Sequence, residues 1–405
     1  MLAEQRITSD EVVTPEPVPV GVRRSAHYFP EIESLRGIAI LLVVLFHANG
    51  FVAPPADPPG SRVSLPWAFI AAGATGVSLF FVLSGFLLSL PFVAEAAGGK
   101  PVRRADYYAR RALRILPLYY AAVLLASILS AHSLVDLLRG VPFLFFLNSF
   151  THTKHLTPYS DVWWSLGTEI QFYLVLPLLP LFLRNRPGRW AGVAVLCGYA
   201  IILVLLLTGR IPLKTSEGAN VAKLSLLGRG FSFLFGGVAA WIYFHYGARV
   251  HERLARIRAM THGGADAALI VTLIGLSLLL RWQVFFGYWN AEAGLAHLWH
   301  VLETFLWAVI VLLLLLAPIR MKPVFCNRAL SAVGILSYSL YIVHLPLIRL
   351  SFGWLHHAYP RRFVGWGIEG CGAIAVLVVA CLALSGLTYR VIERPFLRRK
   401  ARLDR

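Results

Sequence analysis

Acidic side chains are scarce in this chain. Twenty Asp and Glu stand against 38 Lys and Arg in 405 residues, and charged residues of all types reach only 14%. Soluble domains carry about 25% charged residues, so an ordinary water-facing globular surface is excluded. Cysteine is scarce as well. The chain has Cys197, Cys326, Cys371 and Cys381, three of them in apolar runs and none in a CxxC pair. Neither a disulfide framework nor a zinc site is indicated, and the four read as small buried hydrophobes. No HExxH stretch and no glycine-rich phosphate loop is present, so no metal and no bound cofactor is expected. There is no internal repeat of the kind that builds the inverted halves of many transporters. Residues 1–33 lack the apolar core of a signal peptide and are polar, with Pro15, Pro17 and Pro19. They are expected to form a disordered cytoplasmic tail.

What the chain has in quantity is hydrocarbon. It is 58% hydrophobic with a mean hydropathy of +0.67, and several runs reach the ~20 apolar residues that cross a bilayer. The expected fold is all-α and polytopic, with ten spans at 34–52, 68–92, 112–131, 166–183, 190–208, 224–246, 264–281, 296–318, 329–349 and 364–388. An eleventh candidate, 134–150, is interrupted by Asp136, Arg139, Gly140 and Pro142. Positive charge in short loops faces the cytoplasm, and this rule decides the count. With ten spans and both termini cytoplasmic, 27 of the 38 Lys and Arg fall in the tails or inner loops, ten fall outside, and Arg229 lies within a span. Residues 132–165 then form an outer loop, with 134–150 re-entrant or lying in the interface. The net charge of +18 follows from that asymmetry, and no nucleic-acid partner is expected.

Polar groups inside the spans are the next signal. Arg36 and His47 are eleven residues apart, on nearly the same helix face and about 16 Å apart along it. Charged groups at such depth cost on the order of 2.5–3.5 kcal/mol and usually face a polar cavity. Glu169 enters the fourth span in Trp163-Trp-Ser-Leu-Gly-Thr-Glu169. In the ninth, Ser337, Tyr341 and His344 share a face at i, i+4, i+7. His47, Glu169 and His344 are therefore expected to converge on one outward-facing pocket. On the inner side, Arg103, Arg104, Arg110, Arg111 and Arg114 form a cluster suited to bidentate phosphate recognition. From the residues alone, plain topology and anionic lipid headgroups are the favoured account of it. Glu303 and Glu369 lie near helix ends and read as interfacial, Trp163 and Trp164 as an outer aromatic belt. The run from Gly76 to Gly85 reads as a close-packing surface.

The chain resembles the membrane-bound acyltransferase-3 family of O-acyltransferases. The resemblance rests on Leu35-Arg-Gly-Ile-Ala39 through His47 (Arg-x10-His), Gly76-Val-Ser-Leu-Phe-Phe-Val-Leu-Ser-Gly-Phe86, and Arg111-x-x-Arg114 with Pro117. Further matches are Trp164 through Glu169 to Phe172-Tyr173 and Pro177, Phe235-Gly-Gly237, Ser337-Tyr338 through His344, and Ile392-Glu-Arg-Pro-Phe396. These seven segments, in order, cover 34–396, with 397–405 a basic cytoplasmic tail. Thr168 departs from the Val that relatives commonly carry, placing a hydroxyl beside Glu169. The resemblance implies transfer of an acyl group, by default acetyl, from cytoplasmic acyl-CoA to a hydroxyl. The acceptor would be an envelope carbohydrate, a glycolipid or a small molecule. It also implies that Arg36, His47, Arg111 and Arg114 are required. Some relatives continue into an extracytoplasmic esterase-like domain, and this chain reads as the stand-alone form.

Together these readings give an inner-membrane, multi-pass enzyme, with a homodimer left open. His47 is the expected general base toward the acceptor hydroxyl, and Glu169 is expected to orient its imidazole. Arg111 and Arg114, with Arg36, are expected to hold the acyl-CoA phosphates. Ser337, Tyr338, Tyr341, His344 and Trp164 are expected to line the acceptor pocket. Direct attack on the thioester needs no protein nucleophile. The rival reading is a proton-coupled transporter of an anionic solute built on the same His47, Glu169 and Arg36; a third is a structural partner of a glycan export complex.

Overall fold

The computed structural model describes residues 29–52, 62–138, 140–147, 156, 159–208, 210, 224–286, 296–359, 362–363 and 365–400. The expected tail 1–33 falls almost wholly outside them. Among the described residues every regular element is a helix. The first eight are α1 (Pro30–Val52), α2 (Leu65–Ala71), α3 (Thr75–Ala96), α4 (Arg104–Ser130), α5 (Leu134–Leu138), α6 (Val141–Leu144), α7 (Trp164–Val175) and α8 (Leu179–Leu183). They are followed by α9 (Arg186–Leu207), α10 (Leu226–Arg256), α11 (Ala265–Phe286), α12 (Ala296–Leu316) and α13 (Lys322–Phe325). The last four are α14 (Arg328–Ile335), α15 (Ser337–Ala358), α16 (Ile368–Thr388) and α17 (Arg394–Lys400).

Among the described residues, nine helical stretches are long and apolar enough to cross a membrane, and a bent pair makes a tenth when it is counted as one span. All ten expected spans are accounted for, which is what hydrocarbon solvent demands: a spanning segment must satisfy its own backbone groups. Three of them are discontinuous where the sequence pattern read as one run, the fourth being α7 and α8 joined by a 3-10 turn at Leu176–Leu178. The second span is preceded by the separate helix α2 and starts at Thr75. The break at 72–74 exists because Gly73 presses on α1; a Cβ there would lie 2.3 Å from the Leu42 carbonyl oxygen. The ninth span is cut between α14 and α15, which meet at 67°. Asn327 opens α14 as an N-cap, its side-chain oxygen accepting from the Leu330 amide at 2.9 Å.

The doubtful segment 134–150 does not span. Within it, α5 and α6 hold five and four residues and fold back along α4. Tyr119 donates to the Phe143 carbonyl at 2.9 Å and Tyr120 to the Leu144 carbonyl at 3.2 Å. Tyr119 lies eleven residues from the end of α4, about 16 Å down the helix, so the segment re-enters rather than lying flat. Trp163 packs edge-on against both Tyr119 and Phe143 and closes the re-entrant turn.

α1 and α3 occupy the centre. On one side they pack with α4, α7, α15 and α16, and on the other with α10, α11 and α12. Glycine sets the closest approaches. A Cβ at Gly334 would lie 1.8 Å from the Glu33 carbonyl oxygen, and one at Gly37 2.1 Å from that of Leu330. α14 and α1 therefore touch backbone to backbone, and this contact carries Ser337, the first residue of α15, to Arg36. Gly85 and Gly236 do the same for α3 and α10. The four cysteines are free thiols.

Candidate active site

Three arginines from two helices meet at one cavity of about 110 Å³. Arg36, on α1, donates from Nε and Nη2 to Ser337 Oγ at 3.3 and 3.0 Å. Arg111 and Arg114 reach in from α4, one turn apart, each over an aromatic face: Arg111 over Tyr173 and Arg114 over Tyr338, both at 5.9 Å. Apolar walls of α3, including Phe80 and Leu87, complete the cavity. The other arginines of the inner cluster differ. Arg104 is held bidentate by Glu95 at 2.6 and 2.8 Å, and Arg103 lies beside Asp106.

Glu169 also lines this cavity. Its Oε1 accepts from Ser84 Oγ at 2.8 Å and Tyr173 Oη at 2.6 Å, so α3 and the next turn of α7 fix the carboxylate among the guanidiniums. The expected pairing of Glu169 with His47 is thereby corrected. The reason is the face of α7: Glu169 and Tyr173, at i and i+4, both point toward α3 and α4. The Thr168 hydroxyl turns the other way, donating to the carbonyls of Leu224 at 2.7 Å and Trp164 at 3.3 Å.

His47 has a different neighbour. Its ring centroid is 5.1 Å from that of His344, and neither histidine lines the arginine cavity. Each imidazole is anchored on carbonyls of its own helix. His47 Nδ1 lies 2.8 Å from Val43 O, and His344 Nδ1 lies 2.8 Å from Tyr341 O and 3.0 Å from Leu340 O. A carbonyl only accepts, so Nδ1 carries the proton in both rings and Nε2 is left with its lone pair. His344 Nε2 is buried without a hydrogen-bond partner. The pair thus presents two basic nitrogens in the core of the bundle.

Tyr341 joins the two halves. It lines the cavity and its ring lies 5.7 Å from that of His344. Its hydroxyl donates to the Val162 carbonyl, so the 2.6 Å contact with Ser165 has Ser165 as donor. Tyr338 lines the cavity and donates to the Ile115 carbonyl at 2.7 Å. Trp164 lies outside it, half-buried against Phe81, with the Arg229 guanidinium over its ring at 5.6 Å. Of the three groups expected to converge, two do, and the third sits with the arginines.

Two carboxylates gain a place that the sequence did not give them. Glu393, quoted above only within a motif, is 2% exposed. It accepts from Ser339 and lies 3.7 Å from Arg114, fastening the start of α17 to the cavity. Glu303, read as interfacial, is fully buried, accepting from His300 Nδ1 at 2.9 Å and Gln283 Nε2 at 3.3 Å. A carboxylate inside an apolar run is a functional candidate by default; that signal was available for Glu303, whereas Glu393 lies among arginines past the last apolar run. Glu369 is at a helix start as expected, paired with Arg362.

Three guanidiniums thus lie on one side of Tyr341 and two imidazoles on the other, all within a bundle of membrane-length helices. The chain belongs to the acyltransferase domain family, which matches residues 29–387. It is 22% identical to the peptidoglycan O-acetyltransferase OatA of Listeria monocytogenes over 394 residues, 92% of this chain and 56% of that protein. It is 23% identical to the putative peptidoglycan O-acetyltransferase YrhL of Bacillus subtilis over 91% of this chain and 55% of that one. With the putative membrane-bound transacylase BcsY of Komagataeibacter xylinus it shares 24% identity over 90% of this chain and 82% of that one. The chain thus spans little more than half the length of the first two relatives. No solved structure matches it.

Proposed function

We propose that the protein is an O-acyltransferase that moves an acetyl group from cytoplasmic acetyl-CoA to a hydroxyl of an envelope glycan or glycolipid. In this reading both termini are cytoplasmic and the bundle lies in the plasma membrane. The observation that carries the proposal is the division of the site at Tyr341, with three arginines on one side and two imidazole lone pairs on the other. Arg111 and Arg114 hold the donor phosphates at the inner end, and Arg36, fixed by Ser337, guides the acyl arm along the cavity toward Tyr341. Glu169 balances the guanidinium charge and keeps the cavity from closing on a second anion. The acceptor hydroxyl approaches from the His47 side. As its oxygen attacks the thioester carbonyl, His47 Nε2 takes the proton, the C–S bond breaks, and the departing thiolate recovers the proton. His344 stands beside His47 as a second acceptor. The chemistry needs no covalent protein intermediate.

The relatives named for peptidoglycan O-acetylation support a glycan acceptor. The test uses purified chain in nanodiscs with radiolabelled acetyl-CoA. His47→Ala should lower turnover about 10²–10⁴-fold, the usual worth of a general base, and leave donor affinity unchanged, because His47 lies about 16 Å from Arg36. Arg114→Ala should weaken donor binding, by about 1.5–3 kcal/mol for a charge-assisted hydrogen bond. A wild-type protein that binds no acyl-CoA would sink the proposal and favour proton-coupled transport of an anionic solute.

A further inference from the structure

The acyl-transfer reading leaves a second, larger cavity unused, between α15 and α16. Its volume is about 470 Å³. One wall is a single face of α16, from Ile368 through Gly372, Ala373, Val376 and Leu377 to Ala380, and the other is Phe352, Leu355 and Phe363. Apart from Ser351 and Glu369, it is apolar throughout. Ile368 is 95% and Val376 71% exposed on its rim, so the groove opens toward the bilayer rather than into the protein.

Shape decides what fits. From Ile368 to Ala380, twelve helical steps give the groove a length of about 18 Å. Its volume spread over that length leaves a channel narrower than a whole helix with its side chains, which is about 10–12 Å across. A helix of a second copy is too wide, and a sugar or nucleotide finds no polar partners along the walls. A hydrocarbon chain, running parallel to the helices as lipid tails do, matches length and polarity together.

Position narrows the occupant further. Phe352 forms the floor and stacks on Phe51, 6.0 Å between centroids and 9° between planes. Phe51 is one turn from His47 on α1, and Phe352 two turns from His344 on α15, so the groove floor lies one to two turns from the histidine pair along these helices. At the α16 N-terminal end, Arg362 donates to Glu369 at 2.5 and 3.1 Å. The Arg362 side chain is 59% exposed, so a phosphate at headgroup level can take it over from Glu369. Phe363, held at φ +60°, turns its ring into the same end of the groove.

We propose that this groove seats the hydrocarbon chain of a lipid-linked acceptor, with a phosphate at Arg362 and a sugar hydroxyl delivered to His47. The proposal rests on the acyltransferase reading and names its acceptor as a membrane glycolipid. The test uses the full chain in nanodiscs with two acceptors, a photoactivatable polyprenyl-phosphate-linked disaccharide and the same disaccharide without the chain. A Cβ at Gly372 meets nothing within 4 Å, so Gly372→Trp fills the groove without displacing backbone. Gly386, equally open but outside the groove, supplies Gly386→Trp as a control for folding.

Gly372→Trp should raise KM for the lipid-linked acceptor at least tenfold and abolish its photo-cross-link to α16. KM for the chain-free acceptor and all properties of Gly386→Trp should stay unchanged. Equal KM values for wild type and Gly372→Trp on the lipid-linked acceptor would overturn the proposal. So would competition by ordinary phospholipid as effective as by the unlabelled glycolipid, or a cross-link between two copies of the chain. If wild type acetylates neither acceptor, the transferase reading fails separately, and the cross-link with its phospholipid competition still decides the groove.

Discussion

Replacing Gly85 with alanine should destabilise the protein and loosen its donor site, whereas the same change at Gly275 should do neither. An ideal Cβ at Gly85 lies 2.3 Å from the Phe233 carbonyl oxygen and 2.9 Å from its Cα. Non-bonded heavy atoms settle near 3.5 Å, so α3 and α10 must part by about 1 Å. The two helices have no slack to absorb this, because Gly236 brings the partner backbone equally close, its own Cβ position being 2.1 Å from Val82 O. Overpacking of this kind costs about 1–3 kcal/mol. At Gly275 an added methyl meets nothing within 4 Å, and removing a mid-helix glycine should stabilise by about 0.5–1 kcal/mol. The two variants should thus differ by about 1.5–4 kcal/mol in detergent melting. The functional arm follows from Phe233, which stacks on Phe81 at 4.6 Å and on Phe172 at 4.2 Å. Phe81 lines the arginine cavity, so shifting Phe233 should raise KM for acetyl-CoA while the Gly275 variant keeps the wild-type value. A Gly85→Ala protein that melts with or above Gly275→Ala would refute the close-packing argument.

Two further predictions concern the buried carboxylates. Glu303→Ala removes the acceptor of Gln283 Nε2 and of His300 Nδ1, at about 1–3 kcal/mol for a buried polar group that loses its bond. Thermal unfolding should fall, and His300→Ala added to it should cost far less than the sum of the single changes; full additivity in that double-mutant cycle would show the contact to be energetically empty. Glu393→Gln keeps an acceptor for Ser339 and removes the charge 3.7 Å from Arg114. Titration of acetyl-CoA binding should show altered donor affinity with turnover at saturation nearly unchanged, and a loss confined to turnover would detach Glu393 from the donor side.

The sequence alone settled the class of molecule and its rough plan. Ten apolar runs gave ten crossings because a helix in hydrocarbon closes its own hydrogen bonds, which is a local property readable from local composition. Arg36 and Glu169 were marked out for the same reason, since a charged group in an apolar run has few places to go, while Arg111 and Arg114 stood out by clustering at the inner end of a span. The breaks at 72–74 and at Leu336 were not legible. They arise where glycine lets one backbone press on another, and no run of residues records its neighbour. Partnership was also beyond it. Helical periodicity puts Glu169 on a face, but only the packing of α7 against α3 and α4 sends that face to Ser84 and Tyr173, leaving His47 to His344. The re-entrant turn of α5 and α6, the burial of Glu303, and the groove beside α16 likewise depend on contacts between residues tens to hundreds apart in the chain. Those contacts are chosen by shape complementarity among whole helices, so only the tertiary structure decided them.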